Sequence, residues 1–206
     1  MAASSPAATE AAKVRRGPGR PRDPEVERRM KQAALEVLAE HGPAGATLER
    51  ICDRAGAPRA TFYRRWDKPI DALIEAFNEG YVLEDLPDTG DVVRDLVLYA
   101  GRLVALYSDP LLGPCAAYLS TEAHRRPEIR ARMRQDLTGR RAWNRQILER
   151  ASARAAVAER IDPDLLLDVI SGLAGQHAWA GRPFVAADYE QVIRRLLRLE
   201  AAGSSG

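Results

Sequence analysis

The chain has 206 residues, with 31 Lys and Arg against 29 Asp and Glu and a net charge of +2. This length is ample for a buried core without disulfide or metal support, and two cysteines are too few for a secreted disulfide scaffold. The N-terminal segment has no apolar signal region and no uncharged apolar run reaches the ~18–20 residues of a membrane span, so we expect a cytoplasmic protein.

The charge is distributed unevenly along the chain. Residues 1–68 contain fourteen bases and nine acids, a net of +5, which leaves −3 for the remaining 138 residues. A basic N-terminal third on an acidic body is typical of a nucleic-acid-binding protein. The alternative is a solvated basic face without a partner.

The chain begins with a segment of low complexity. Residues 1–22 are rich in Ala, Ser, Pro, Gly and Arg and cannot bury enough apolar surface to offset ordering entropy, so we predict a disordered arm. Asp23 and Pro24 then favour a helix start, as N-cap and first helical residue. Apolar residues at helical spacing predict a helix that ends at the His-Gly-Pro sequence 41–43.

Two short helices and a longer one follow. Thr47 is a good N-cap for a helix to about residue 54, and Gly56 supplies the positive φ of a tight turn. A second short helix is predicted over residues 58–65, and a longer helix with an apolar stripe begins near Lys68.

The rest of the chain also has helical periodicity. The predicted helices span about 89–107, 111–124, 127–153, 163–180 and 186–201. Residues 92–107 are apolar around most of their circumference, which predicts a central, buried helix. No stretch alternates convincingly at period two, so we predict an all-α fold without a sheet.

The two short helices have the spacing of a helix-turn-helix, whose second helix enters the DNA major groove with its N-terminal end on the base edges. Arg59 can donate two hydrogen bonds to guanine O6 and N7, Thr61 can offer a methyl to thymine, and the small Ala60 lets the backbone approach closely. The further predicted DNA-binding residues are Thr47, Pro58, Tyr63, Arg64 and Lys68. The alternative is a pair of packed surface helices without a partner.

The residues around this turn are Ala55-Gly56-Ala57-Pro58, Ala60, Tyr63, Trp66 and Lys68. They resemble the TetR (tetracycline-repressor-like) family of bacterial regulators, whose pattern is roughly Ala-Gly-Val-Ser, a small residue, Tyr-x-x-Phe and a Lys at the next helix. The chain departs from it in Ala-Pro for Val-Ser, in Trp66 for Phe, and in a Lys one residue earlier. The resemblance extends to the first helix and the all-helical layout. It implies a ligand-responsive repressor that binds a pseudo-palindromic operator as a homodimer and is released by a small-molecule effector.

The arm contains a second DNA-binding signal. Gly19-Arg20-Pro21 looks like the core of an AT-hook, in which an extended Arg lies in a narrow A·T minor groove. Arms that precede a helix-turn-helix read the minor groove in homeodomains. The predicted minor-groove residues are Arg15, Arg16, Arg20 and Arg22. The alternative is a solvated basic tail with nonspecific affinity.

One short recognition helix contacts few base pairs, so specificity is usually obtained by a two-fold dimer. The last two predicted helices carry apolar faces, and the resemblance implies a four-helix bundle built from both subunits. The predicted interface residues are Leu166, Ile170, Leu173, Ala174, Val192, Ile193 and Leu196. The alternative is that these faces are buried within the monomer.

The middle helices are rich in aromatic residues, and the resemblance implies an effector pocket there. The candidate lining residues are Tyr81, Tyr99, Leu103, Tyr107, Tyr118, His124, Trp143 and His177. Ligand sites are usually apolar cavities with a few polar groups, so we expect an apolar or aromatic effector. Taken singly, each of these residues is also explained as ordinary core.

Signals for an enzyme are missing from the sequence. It has no phosphate-binding Gly loop, no Cys-x-x-Cys pair and no His-Glu-x-x-His, and its three histidines are far apart. We therefore predict no catalytic residue, metal site or cofactor. Cys52 is expected in a core, whereas Cys115 follows a Pro near a helix start, where a lowered thiol pKa would suit a redox sensor.

These observations divide the chain into a disordered basic arm (1–22), a helix-turn-helix DNA-binding domain (23–68) and a regulatory domain for ligand binding and dimerisation (69–202). The alternative function is a helical redox- or ligand-sensing interaction protein without specific DNA binding.

Overall fold

The computed structural model describes residues 24–81, 88–153 and 162–197, and the side chains of all of these except 136–144 and 151–153. The helices are α1 (Pro24–Gly45), α2 (Leu48–Ala55), α3 (Arg59–Tyr63), α4 (Pro69–Gly80), α5 (Val92–Ser108), α6 (Leu112–Arg125), α7 (Pro127–Ala153), α8 (Pro163–Trp179) and α9 (Ala186–Leu197). The described ranges contain no strand, and the all-α prediction is confirmed.

The helix boundaries follow the predicted start and stop signals closely, because capping side chains mark them. The Asp91 carboxylate accepts hydrogen bonds from the Val93 and Arg94 amides at the start of α5. Asp162 caps α8 in the same way, with Pro163 at the first helical position.

One predicted helix end differs from the structure, and three predicted features lie outside the described residues. Gly42 interrupts α1 with φ 68° and ψ −178°, so the helix kinks at the predicted end before one further turn. The arm at 1–22 and its neighbour Asp23 lie outside the described residues, as does the predicted extension of the last helix to 201.

A first core joins α1 to α4 with parts of α6 and α7. Phe62 of α3 is fully buried there, together with Ile51 of α2 and Leu73 of α4. Leu119 of α6 and Ile129 of α7 belong to the same cluster. Helix α6 packs against α1 and α4, so residues from later in the chain complete the core that contains the two short helices.

A second core lies around α5, which packs against α8 and α9. Tyr99 and Leu103 of α5 are buried against Leu166 of α8 and Tyr189 of α9. The prediction that residues 92–107 form a central helix is confirmed, but the helix is not buried all round, because Leu98 is 44% exposed.

Packing crosses the predicted domain boundary at residue 68. Helix α4 places Ile70, Leu73 and Phe77 in the first core beside α1 and α2. The boundary itself stays a prediction.

Candidate nucleic-acid interface and effector cavity

The turn between α2 and α3 is built from local interactions. Thr47 caps α2, since its Oγ1 accepts a hydrogen bond from the Arg50 amide at 3.4 Å. Gly56 ends α2 in the left-handed conformation, with φ 60° and ψ 41°, as predicted. Phe62 then anchors the five-residue α3, with its ring centroid 5.1 Å from that of Trp66.

The predicted DNA-binding residues lie at the surface around α3. Most of them are exposed and Thr61 is half-buried; the exposed residues are Thr47, Pro58, Arg59, Ala60, Tyr63, Arg64 and Lys68. Tyr63 keeps 59% of its surface accessible despite its aromatic ring. The Lys68 amide donates to the Asp71 carboxylate at 2.8 Å, so this residue also stands at the start of α4. Their contacts with DNA remain predictions.

An ion pair on this surface was missed by the sequence reasoning. Nη2 of Arg59 lies 2.9 Å from Oε1 of Glu49, in the first turn of α2. The two residues are ten positions apart, and only the fold of the turn brings them together. No local sequence pattern marks such a pair.

Both cysteines are buried in the first core. Cys115 has no exposed surface, its thiol donates to the Leu73 carbonyl at 3.7 Å, and burial raises its pKa to about 12. Burial also raises the pKa of the Cys52 thiol, whose predicted core position is confirmed. The expected lowering of the Cys115 thiol pKa is therefore wrong, and a buried, neutral thiol does not favour a redox sensor.

A cavity of about 1840 Å³ lies beside the first core, with a wall that is mostly apolar. It is lined from α4 to α8 and from the turn that follows α8. Four of the predicted residues line it: Tyr81, Tyr99, Tyr107 and His124.

Three other predicted pocket residues do not line the cavity. Leu103 is fully buried in the second core, and Tyr118 packs against the first core. His177 is buried with its ring edge-on to that of Tyr189, at a centroid distance of 5.3 Å. Trp143 belongs to α7, but its side chain lies outside the described residues.

The cavity also has charged lining residues that the sequence reasoning missed. They are Arg130, Arg134, Arg145, Arg182, Asp109, Asp164 and Asp168. Arg145 forms an ion pair with Asp164, and Arg130 donates to the carbonyls of Ala123 and His124 at 2.9 and 3.0 Å. These positions are scattered over four elements, so no spacing in the sequence indicates that they share a wall.

The predicted dimer interface needs correction at four positions. Leu166, Ile170, Ala174 and Ile193 are buried within the monomer, because these faces of α8 and α9 pack on α5. Their side chains have no surface left for a second subunit. The other three predicted residues, Leu173, Val192 and Leu196, remain partly exposed.

Within 24–81, 88–153 and 162–197, no helix is long and apolar enough to cross a membrane. The same ranges contain no group of three or more His, Cys, Asp or Glu side chains arranged to hold a metal ion.

Known proteins with similar sequences are transcriptional regulators. YdeS of Bacillus subtilis, described as an HTH-type transcriptional regulator, is 28% identical over 162 residues, which cover 75% of this chain and 78% of YdeS. The HTH-type transcriptional regulator AqdR of Rhodococcus erythropolis is 27% identical over 146 residues, covering 70% of each chain.

Solved structures with the same fold include the fatty acid degradation regulator FadR from Bacillus halodurans, with a TM-score of 0.68 and 19% identity. The match covers 90% of this chain and 99% of that protein. FadR from Bacillus subtilis, solved in complex with stearoyl-CoA, has a TM-score of 0.65 and 22% identity over 84% of this chain and 99% of its own.

Two family models match the chain. Residues 32–77 match the model for bacterial regulatory proteins of the tetR family, and residues 86–196, more than half of the chain, match that of the tetracyclin repressor-like C-terminal domain. The chain therefore belongs to the TetR family and is a DNA-binding transcriptional regulator.

Proposed function

We propose that the protein is a repressor that binds a pseudo-palindromic operator as a homodimer and is released from it by a small-molecule effector. One observation carries the proposal: the first core and the cavity share side chains. Phe77 of α4 is buried in the first core and lines the cavity, and Met133 of α7 also contributes to both. A molecule in the cavity therefore touches the helices that support the helix-turn-helix.

A chain of ion pairs connects the same elements. Arg132 of α7 lies 2.7 Å from Asp71 and 3.7 Å from Glu75, both in α4. Glu75 also lies 3.1 Å from Arg65, two residues after the end of α3. A shift of α7 on effector binding thus reaches the recognition helix through named contacts, as required for coupling between two sites.

The proposed effector is apolar or aromatic. The mostly apolar wall includes the partly exposed Tyr81 and Tyr107, which favour an apolar ligand body, whereas Tyr99 lies behind it with 1% of its surface exposed. The volume of about 1840 Å³ exceeds the roughly 300–1,000 Å³ of most ligand pockets because the cavity opens to solvent, so a ligand need not fill it. The arginines and aspartates of the wall supply the polar contacts that orient a ligand.

The proposed dimer uses the part of the last two helices that the monomer leaves accessible. Leu165 of α8 is 57% exposed, and Gly172 has open space beside its Cα. Leu173, Val192 and Leu196 lie partly exposed on the same two helices. An apolar surface next to a small residue favours close helix–helix contact between subunits.

We also propose a cytoplasmic location, because a DNA-binding regulator acts where its operator DNA lies.

The proposed role of the arm is tested by removing residues 1–22. If Arg15, Arg16, Arg20 and Arg22 contact the minor groove, the truncated protein binds the operator less tightly and its affinity depends less steeply on salt. Equal affinity and equal salt slope for both proteins contradict this role.

Selection of bound duplexes from a random pool tests the main proposal. We expect a two-fold symmetric sequence that binds two chains, as measured by fluorescence anisotropy and sedimentation. A screen of apolar and aromatic compounds should then yield ligands that raise the melting temperature and release the selected duplex. A protein that enriches no sequence, or binds as a monomer, contradicts the proposal.

A further inference from the structure

The Glu49–Arg59 ion pair is exposed and joins the two helices of the helix-turn-helix. The side chain of Glu49 is 67% exposed and that of Arg59 is 58% exposed, with 2.9 Å between Oε1 and Nη2. An exposed pair of this kind adds little to folding stability, because water screens it and two long side chains lose freedom. Stability is therefore a weak reason for the contact.

The carboxylate of Glu49 also opposes DNA binding in general. It lies beside Arg59, for which the sequence predicts base contacts, and a negative charge there repels the phosphates of any duplex. A residue that lowers the affinity for all sequences can still raise the difference in affinity between the operator and other sequences. Specificity depends on that difference.

The geometry points to a positioning role: we propose that Glu49 holds the Arg59 guanidinium in the orientation that pairs with guanine. This inference rests on the proposed function and on the predicted contact between Arg59 and a base. The guanidinium has five N–H donors in a planar fork. Glu49 engages Nη2, and the other donors suffice for the two hydrogen bonds to guanine O6 and N7.

Restraint of the Arg59 side chain changes DNA recognition, because an unrestrained Arg populates many rotamers. In some of them it contacts phosphates, which carry no sequence information. An Arg restrained by Glu49 is directed towards the base edges, and its rotamer entropy is lost before DNA arrives. The ion pair then raises the preference for guanine while it lowers the affinity for unrelated sequences.

The test compares single and double variants on the selected duplex and on duplexes changed at one base pair. Arg59→Ala should lower the preference at one operator position by about 5- to 150-fold. Glu49→Ala should lower the preference at the same position by up to about fivefold, and Glu49→Gln, which keeps an acceptor oxygen, by less. In the double variant, Glu49→Ala should add nothing to Arg59→Ala.

Asp53→Ala is the matched control, because Asp53 is exposed one turn further along α2. Both Ala variants remove one negative charge, so both should raise the affinity for unrelated DNA. Only the change at Glu49 should alter base preference. Circular dichroism and thermal melting verify that each variant is folded.

Three outcomes overturn the inference. In the first, Glu49→Ala and Asp53→Ala have the same base preference. In the second, Glu49→Ala alters the preference at a different base pair, which indicates direct reading of cytosine by the carboxylate. In the third, the effect of Glu49→Ala on base preference persists in the absence of Arg59. Failure of the proposed function is a separate result, because the unmodified protein would then select no sequence at all.

Discussion

The N-terminal region, α1–α4, and the C-terminal region, α5–α9, place their functional residues in different ways. The candidate DNA contacts other than the arm lie between Thr47 and Lys68, and a cap, a left-handed Gly56 and the anchor Phe62 position them. The cavity instead takes its wall from residues between 77 and 183. Local geometry therefore determines the DNA-binding surface, and long-range packing determines the ligand-binding one.

The two cores also differ in their buried polar groups. In the second core, His177 Nδ1 and the Tyr189 hydroxyl are buried without a hydrogen-bond partner among the described residues, whereas in the first core Trp66 Nε1 is such a group. Leaving one such group unpaired costs about 1–3 kcal/mol. Burial of unpaired polar groups therefore lowers stability in both cores.

The largest expected effect comes from matched core truncations. Leu73 in the first core and Leu103 in the second core are at most 1% exposed. Leu73→Ala and Leu103→Ala should each lower the free energy of unfolding by about 2–5 kcal/mol. Because α6 and α7 contribute to both regions, urea denaturation should show one transition in each variant. Two separate transitions would show that the two cores unfold independently.

A smaller effect is expected from the pH dependence of Cys115. Its folded-state pKa of about 12 lies above the unfolded value, so its stabilising contribution is fully present below pH ~9 and is lost between pH ~9 and ~12. The loss amounts to about 1.4 kcal/mol per pH unit. Urea denaturation at pH 8, 9 and 10 should therefore show a shallower decline for Cys115→Ala than for the unmodified protein. Identical slopes would contradict a buried, neutral thiol.

Two N-caps allow a closer comparison of the regions. Thr47→Ala at α2 and Asp91→Ala at α5 should each lower the free energy of unfolding by about 1 kcal/mol, since each loses a hydrogen bond to orphan amides. Only Thr47→Ala should also weaken binding to the selected duplex, because Thr47 is a proposed DNA contact. An equal loss of DNA affinity in both variants would show that capping, not contact, explains the effect.

The smallest expected effect concerns the connection between the regions. The side chains of Arg132 and Asp71 are 38% and 19% exposed, so a double-mutant cycle with Ala should give a coupling of at most about 1 kcal/mol for unfolding. The same cycle should show a larger coupling for DNA release, measured as the change in DNA affinity when a ligand occupies the cavity, than for unfolding. If the cycle shows coupling for unfolding alone, this ion pair does not belong to the proposed connection between the cavity and the helix-turn-helix.

The sequence predicted α2, the Gly56 turn and the α3 region, because their determinants lie within a few residues of one another. It also predicted the central position of α5 from apolar residues around its circumference. It misplaced Leu103, Tyr118 and His177 in the pocket, because aromatic or apolar character does not tell a core position from a cavity wall.

By itself the sequence determined the all-α fold, the helix-turn-helix and the separation of a basic N-terminal part from an acidic remainder. Helical periodicity, caps and turn residues act over short distances along the chain. Only the tertiary structure decided that Leu166, Ile170, Ala174 and Ile193 face α5, that Cys115 is shielded from water, and that Glu49 meets Arg59. An amphipathic helix specifies that one face is buried, but the partner that buries it is set by packing across distant segments.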